Sequence, residues 1–133
     1  MKKYFLDTSV YLRFILKDEP RLARRAQKYL LAAQKGEIEL ILVPEILAEI
    51  NYVLQKVYLL SREEIIQHLS ALGKTPYIEV IDRSQTIEAI KLYRQTGVGF
   101  VDCLLFVRAK NQRAEVLSFD KDFEKLKKVV DEY

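Results

Sequence analysis

Leu40-Ile41-Leu42-Val43-Pro44-Glu45-Ile46-Leu47-Ala48-Glu49-Ile50 changes its periodicity halfway along. The first four residues form a continuous apolar run, the pattern of a strand buried on both faces. Strands of that kind belong to parallel sheets, which crossover helices cover from both sides. Pro44 stops the run and suits the first turn of a helix predicted to reach Tyr58.

The same alternation extends outward in both directions. Upstream, Lys3–Leu6 reads as a short strand and Val10–Leu16 as a helix, with Asp7-Thr8-Ser9 supplying its cap. Pro20 opens a second helix, expected to run to Lys35 and to stop at Gly36. Downstream, Ser61-Arg62-Glu63-Glu64 is a capping box for a helix that Gly73 closes. Tyr77–Ile81 is strand-like, and Asp82 or Ser84 caps a helix running to Gln95. Phe100–Asn111 is helical and nearly all apolar in its first two turns, so a central position is expected. Glu115–Phe119 reads as a strand, Lys121–Lys127 as a short helix, and Lys128-Val129-Val130 as a last edge strand. The pattern predicts an α/β fold: one domain over residues 1–133, with a parallel central sheet flanked by helices as an α/β/α sandwich. No linker, repeat or low-complexity tract divides the chain. In such folds the ligand crevice lies beyond the C-terminal ends of the strands.

Composition excludes several chemistries. No apolar stretch approaches the ~20 residues of a membrane helix, and the run after Lys2 and Lys3 breaks at Asp7, too soon for a signal peptide. A cytoplasmic protein is expected. Cys103 is the single cysteine, so a cysteine-rich zinc site is ruled out, and its neighbours Asp102 and Leu104 offer no base to activate it. His68 is the single histidine, on the polar side of an amphipathic helix, which removes cleavage of RNA by a histidine pair. The net charge of +3 tolerates a polyanionic partner without requiring one. Arg21, Arg24, Arg25 and Lys28 bunch on neighbouring helix faces and read as a solvated face in preference to a phosphate-contacting patch.

Four acids stand where apolar runs stop. Asp7 ends Tyr4-Phe5-Leu6, and Asp120 follows Val116-Leu117-Ser118-Phe119. Asp102 is the sole polar residue of Phe100–Val107. Glu49 falls on the shoulder of an expected apolar stripe of Ile46, Ile50, Val53, Leu54 and Val57, with Glu45 turned further toward solvent. A carboxylate against a core is costly unless neutralised, and several gathered together call for a hard divalent cation. Each acid also has a plain reading, as a helix cap or a boundary side chain. Asp120 is preferred to Asp122 because it is nearer the expected strand end.

In this order the segments Phe5-Leu6-Asp7-Thr8-Ser9-Val10, Leu47-Ala48-Glu49-Ile50, Gly99-Phe100-Val101-Asp102-Cys103-Leu104 and Leu117-Ser118-Phe119-Asp120-Lys121-Asp122-Phe123 resemble the four signature segments of PIN domains. The likeness is closest to single-domain VapC-type toxins of prokaryotic toxin–antitoxin pairs, and it covers the whole chain. It implies an endoribonuclease dependent on Mg²⁺ or Mn²⁺, with Asp7, Glu49, Asp102 and Asp120 as catalytic, metal-binding acids. Thr8, Ser9 and Ser118 become supporting hydroxyls, and Asp122 an outer acid. It further implies a homodimer, an RNA substrate and a small protein antitoxin. Cys103 stands where a small residue such as Ala is common and Ser118 where Thr is common; neither departure removes a ligand. With no histidine pair and no Lys or Cys nucleophile, metal-assisted water is left as the attacker, giving 3′-hydroxyl and 5′-phosphate ends.

Rival readings fit less well. An aspartyl-phosphate enzyme would carry an acid at position 9, which is Ser9, and Gly97-Val98-Gly99 lacks the rest of a phosphate loop. A flap nuclease needs more helices than the chain has. A catalytically silent PIN-like module that binds RNA or protein is the alternative, and retention of all four acids argues against it.

Overall fold

The computed structural model describes residues 1–131. Its elements follow the order β1 (Lys3–Phe5), α1 (Thr8–Leu16), α2 (Pro20–Gln34), β2 (Glu39–Leu42), α3 (Pro44–Lys56), α4 (Arg62–Gly73), β3 (Ile78–Val80), α5 (Arg83–Thr96), α6 (Phe100–Asn111) and α7 (Asp122–Asp131). These elements group into two compact units. One holds Met1–Tyr58 with Thr75–Asp82; the other holds Leu59–Lys74 with the chain from Arg83 onward.

The first unit contains a parallel sheet of order β1-β2-β3, with helices between its strands, which is the expected α/β class. Tyr4 pairs with Leu40, and Leu40 with Ile78; one step on, Phe5 pairs with Ile41, and Ile41 with Glu79. Because side chains alternate along a strand, this register puts Leu40, Leu42, Ile78 and Val80 on the buried face. Phe5 and Glu79 lie exposed on the other. The strand Glu39–Leu42 is therefore fully buried on one face, not on both as its unbroken apolar run suggests; Ile41 is only half-buried. Asp7 itself caps α1: it is extended (φ −91°, ψ 154°) and its carboxylate accepts from the Ser9 backbone N–H. Of the three cap candidates Asp7, Thr8 and Ser9, the acid is the one used. Pro44 at the start of α3 removes one backbone donor that would otherwise be unpaired there.

The second unit is helical. α4 begins with the expected capping box: Ser61 Oγ accepts from the Glu64 N–H at 3.2 Å, and Glu64 Oε1 accepts from the Ser61 N–H at 3.3 Å. The turn from α5 into α6 is held from several sides. Thr96 Oγ1 donates to the Leu92 carbonyl at 2.7 Å and accepts from the Val98 N–H at 3.1 Å. Gly97 takes φ +75°, which costs a side-chain-bearing residue far more. The Arg62 guanidinium donates to the Tyr93 and Gly97 carbonyls and lies 4.0 Å from the centre of the Tyr93 ring. Tyr93 in turn packs against Phe100, the first residue of α6.

Three expectations about the second unit change. α6 spans the expected residues, but only Phe100, Cys103, Leu104 and Val107 are buried; Val101 and Leu105 are exposed. Glu115–Phe119 is not a strand: residues 114–120 carry no regular structure, and Leu117 and Phe119 are fully exposed. Lys128-Val129-Val130 is the last part of α7, not an edge strand. Phe123, Leu126, Val129 and Val130 recur at helical spacing, with Leu126 buried, and a three-residue window hides that period. Among the described residues no helix is long and apolar enough to cross a membrane.

Replacing Arg62 by Ala removes two charge-assisted contacts and a cation–π contact from the turn that precedes α6. The expected loss is about 1–2 kcal/mol, allowing for partial solvent exposure, read from urea unfolding.

Candidate metal centre

Two helix starts in the second unit bring acids together. Asp102 is the third residue of α6, where the aligned N–H groups favour an anion. The approach to α7 folds back on itself through two side-chain contacts. Ser118 Oγ accepts from the Asp120 N–H at 3.0 Å, and Asp120 Oδ1 accepts from the Asp122 N–H at 2.9 Å. Asp120 thus precedes α7 as a cap-like residue and Asp122 is its first residue.

The result is a cluster in which Asp102, Asp120 and Asp122 each offer a carboxylate oxygen within 4.8 Å of the others. Asp102 and Asp122 are half-buried, and Asp120 is exposed. Burial pushes the Asp102 carboxyl above its ordinary value of 3.8, and the charges of Asp120 and Asp122 push it further. An all-oxygen donor set in which each charge disfavours the next suits a hard divalent cation, which removes the repulsion by binding all three.

The remaining predicted residues belong to the first unit and are not part of this cluster. Asp7 is exposed beyond the C-terminal end of β1, where its carboxylate also accepts from Ser9 Oγ at 2.7 Å. That hydroxyl, with the Ser9 and Thr8 backbone contacts, holds its carboxyl below 3.8 against a small opposing effect of burial. Thr8 is buried, and its Oγ1 has no hydrogen-bond partner among the described residues. Glu49 is exposed on α3. The buried stripe of that helix is Leu47, Ile50 and Leu54, so Ile46 and Val53 lie at its edge, Val57 is exposed, and Glu49 does not lean inward as expected.

The preference for Asp120 over Asp122 rests on an expected strand end that the structure does not have, and both acids lie beside Asp102. The usable signal was the i, i+2 pair of acids at a helix start, where two carboxylates straddle one cap. Cys103 is fully buried, and burial pushes its thiol up to about 11, so it offers no thiolate at neutral pH.

Asp102 and Asp7 are expected to respond oppositely to pH in the metal-free protein. The raised Asp102 value means that its contribution to stability is fully present below 3.8 and is lost as pH rises through the folded value. The lowered Asp7 value means a contribution present above 3.8 and lost as pH falls through the folded value. Asp102→Asn should therefore raise the urea midpoint at pH 7 and change it little in acid, when both forms are unfolded in the presence of a chelator. A lower midpoint at pH 7 would contradict the electrostatic account.

The sequence profile of the PIN domain matches residues 4–129. A protein named VapC ribonuclease from Aquifex aeolicus (strain VF5) is 35% identical over 122 residues, which cover 91% of this chain and 90% of that protein. No solved structure matches the chain. A parallel α/β sheet with an acid beyond β1, a three-acid cluster at the starts of α6 and α7, and a match over nearly the full length lead to one assignment: the chain belongs to the PIN-domain family.

Proposed function

We propose that the chain is a metal-dependent endoribonuclease, the toxin of a type II toxin–antitoxin pair, working as one domain over residues 1–133. The observation that carries this reading is the cluster of Asp102, Asp120 and Asp122. The relationship to a VapC ribonuclease supports RNA as the substrate, and with it a cytoplasmic place of action.

Asp102, Asp120 and Asp122 would hold a divalent ion, Mg²⁺ or Mn²⁺, and Ser118 would steady Asp120 through its backbone N–H. Asp7 and Glu49 are retained as further metal-binding acids on the sequence pattern alone, with Ser9 fixing the Asp7 carboxylate. Once bound, the ion supplies Lewis acidity and a water of lowered pKa. Water would attack the phosphorus in line as the P–O3′ bond breaks, a carboxylate oxygen taking the water's proton and solvent protonating the leaving 3′-oxygen, so that the products carry 3′-hydroxyl and 5′-phosphate ends. The buried Cys103 takes no part.

Purified protein should cut single-stranded RNA with Mg²⁺ or Mn²⁺ and stop when the ion is chelated. Asp102→Asn and Asp120→Asn should each lower the rate about 100-fold or more, since several kcal/mol of charge stabilisation is at stake. Asp7→Asn and Glu49→Gln test the two sequence-based ligands in the same assay. Cleavage that survives chelation, or is untouched in the cluster variants, would overturn the assignment. Binding of RNA without any cleavage would point to the silent module.

We also propose a homodimer and a small protein antitoxin whose arginine pairs with the cluster carboxylates in two-pronged fashion. Exposed Val57 and Leu59 and half-buried Val53, Tyr58 and Leu60 are candidates for the dimer contact, whereas Leu54 is buried and drops out. Light scattering should give twice the chain mass, and Val57→Asp should return the monomer mass. A clean monomer at micromolar concentration would remove the dimer.

A further inference from the structure

We propose that the exposed edge of α2 is a track for RNA phosphates, formed by Arg21, Arg24, Lys28 and Lys35. The inference rests on the ribonuclease reading and adds to it the surface that holds the substrate backbone.

α2 buries Ala26, Leu30 and Ala33, which at 100° per residue form one narrow stripe. Arg21, Arg24, Lys28 and the C-cap residue Lys35 fall roughly opposite that stripe, and all four are exposed. Arg25 lies on the flank. The row from Arg21 to Lys35 is about 21 Å long at the helical rise, the length of about six phosphates of one stacked strand. Arg24, Lys28 and Lys35 line an open groove of about 440 Å³ together with Gln27, Leu31, Ala32 and one acid, Glu37.

The charges on this edge are uncompensated. No acid occurs between Pro20 and Gln34. Asp18 and Glu19, the acids just before the helix, are both engaged by Arg13, at 3.0 and 2.6 Å. Lys3 and Lys110 have carboxylate partners, Glu39 and Glu88. Among the described residues, Arg21, Arg24, Arg25, Lys28 and Lys35 have none. Arg21 and Arg24 even stand near the N-terminus of α2, where the helix dipole disfavours cations. Like charges at i, i+4, such as Arg24 and Lys28, cost the helix a further few tenths of a kcal/mol. Local stability thus argues against this arrangement, and a polyanion laid along it reverses the sign of both terms.

The chemistry selects phosphates over other acidic partners. A membrane-surface helix presents a continuous apolar face to the lipid, whereas the apolar stripe of α2, Ala26, Leu30 and Ala33, is buried, and its exposed apolar residues Leu22, Tyr29 and Leu31 are scattered around the helix. No aromatic side chain shares the basic edge; Tyr29 stands off it and packs edge-on against Tyr4. Cations without stacking or base-edge readers give affinity for the backbone and no choice of sequence.

The test uses Arg21→Gln/Arg24→Gln/Lys28→Gln/Lys35→Gln and the double variant Lys28→Gln/Lys35→Gln, in the full chain, with circular dichroism to check folding. Binding of a fluorescein-labelled single-stranded RNA is measured in chelator, so that nothing is cut, between about 50 and 200 mM KCl. The slope of log K against log salt should fall by about 3 in the quadruple variant and by about 1.4 in the double one. With metal added, KM should rise at least about tenfold while kcat stays unchanged. Should the quadruple variant fail to fold, the double variant decides. A wild-type protein that binds and cuts RNA, with variants of unchanged slope, would overturn the track and leave the ribonuclease reading intact. A wild-type protein that neither binds nor cuts RNA would overturn both. Loss of binding to phosphatidylserine vesicles with unchanged RNA binding would make the edge a membrane contact and the proposal wrong.

Discussion

Repulsion among Asp102, Asp120 and Asp122 is the constraint from which the chemistry of the second unit follows. The three carboxylates offer oxygens within 4.8 Å of one another, and the proton affinity of half-buried Asp102 is raised first by burial and then by the charges of Asp120 and Asp122. Evenly spread acids would relax by moving into water. These are held: Asp102 by a helix whose Phe100, Cys103, Leu104 and Val107 are in the core, Asp120 and Asp122 by the short chain of contacts from Ser118. Arg62, clamping the turn ahead of Phe100, steadies the same N-terminal end of α6. Carboxylates held together in this way favour a divalent ion, which offsets their mutual repulsion when it binds.

Much of this was legible in the residues. Punctuation with a mechanism placed the elements well: the capping box at Ser61 and Glu64, Pro20 and Pro44 at helix starts, and Gly97 at positive φ ahead of α6. What failed lay where the local signal serves two structures. Val116-Leu117-Ser118-Phe119 has the alternation of a half-buried strand, yet Leu117 and Phe119 face solvent, and nothing in five residues distinguishes the two cases. Lys128-Val129-Val130 carries β-branched residues that favour a strand, but Leu126 anchors them in a helix. The lean of Glu49 differs for another reason. The expected stripe takes in Ile46, Val53 and Val57 with Ile50 and Leu54, whereas packing buries Leu47, Ile50 and Leu54, a rotation that sequence periodicity cannot resolve when apolar residues cover most of a helix.

The acids were found more reliably than their roles. Position after an apolar run picked out Asp102 and Asp120, and their closeness to Asp122 follows from the turn at Ser118, which a residue list does not reveal. Asp7 illustrates the opposite case. Its place beyond β1 was legible, but its carboxylate is already satisfied by Ser9 and carries a lowered proton affinity. An acid stabilised in its charged form by local hydrogen bonds is ready for a cation without depending on one. Asp102, destabilised by its neighbours, gains more from the same event.

On the proposed reading, a cluster of carboxylates poses a second problem. An RNA substrate and the site would carry the same sign, so the acids that assemble the chemistry would also repel the strand. A bound divalent ion offsets this only locally, and salt screens charges beyond about 8–10 Å at ordinary ionic strength. The modest net charge of +3, spread evenly, would supply little attraction. It is not spread evenly. Arg13 absorbs the acids ahead of α2, and the cations of that helix are left unpaired on one edge. Keeping affinity in fixed cations and chemistry in carboxylates lets each be tuned separately: the first sets how tightly a backbone is held, the second how fast a bond is broken. On the ribonuclease reading, a basic edge without aromatics leaves any sequence preference to groups other than that edge.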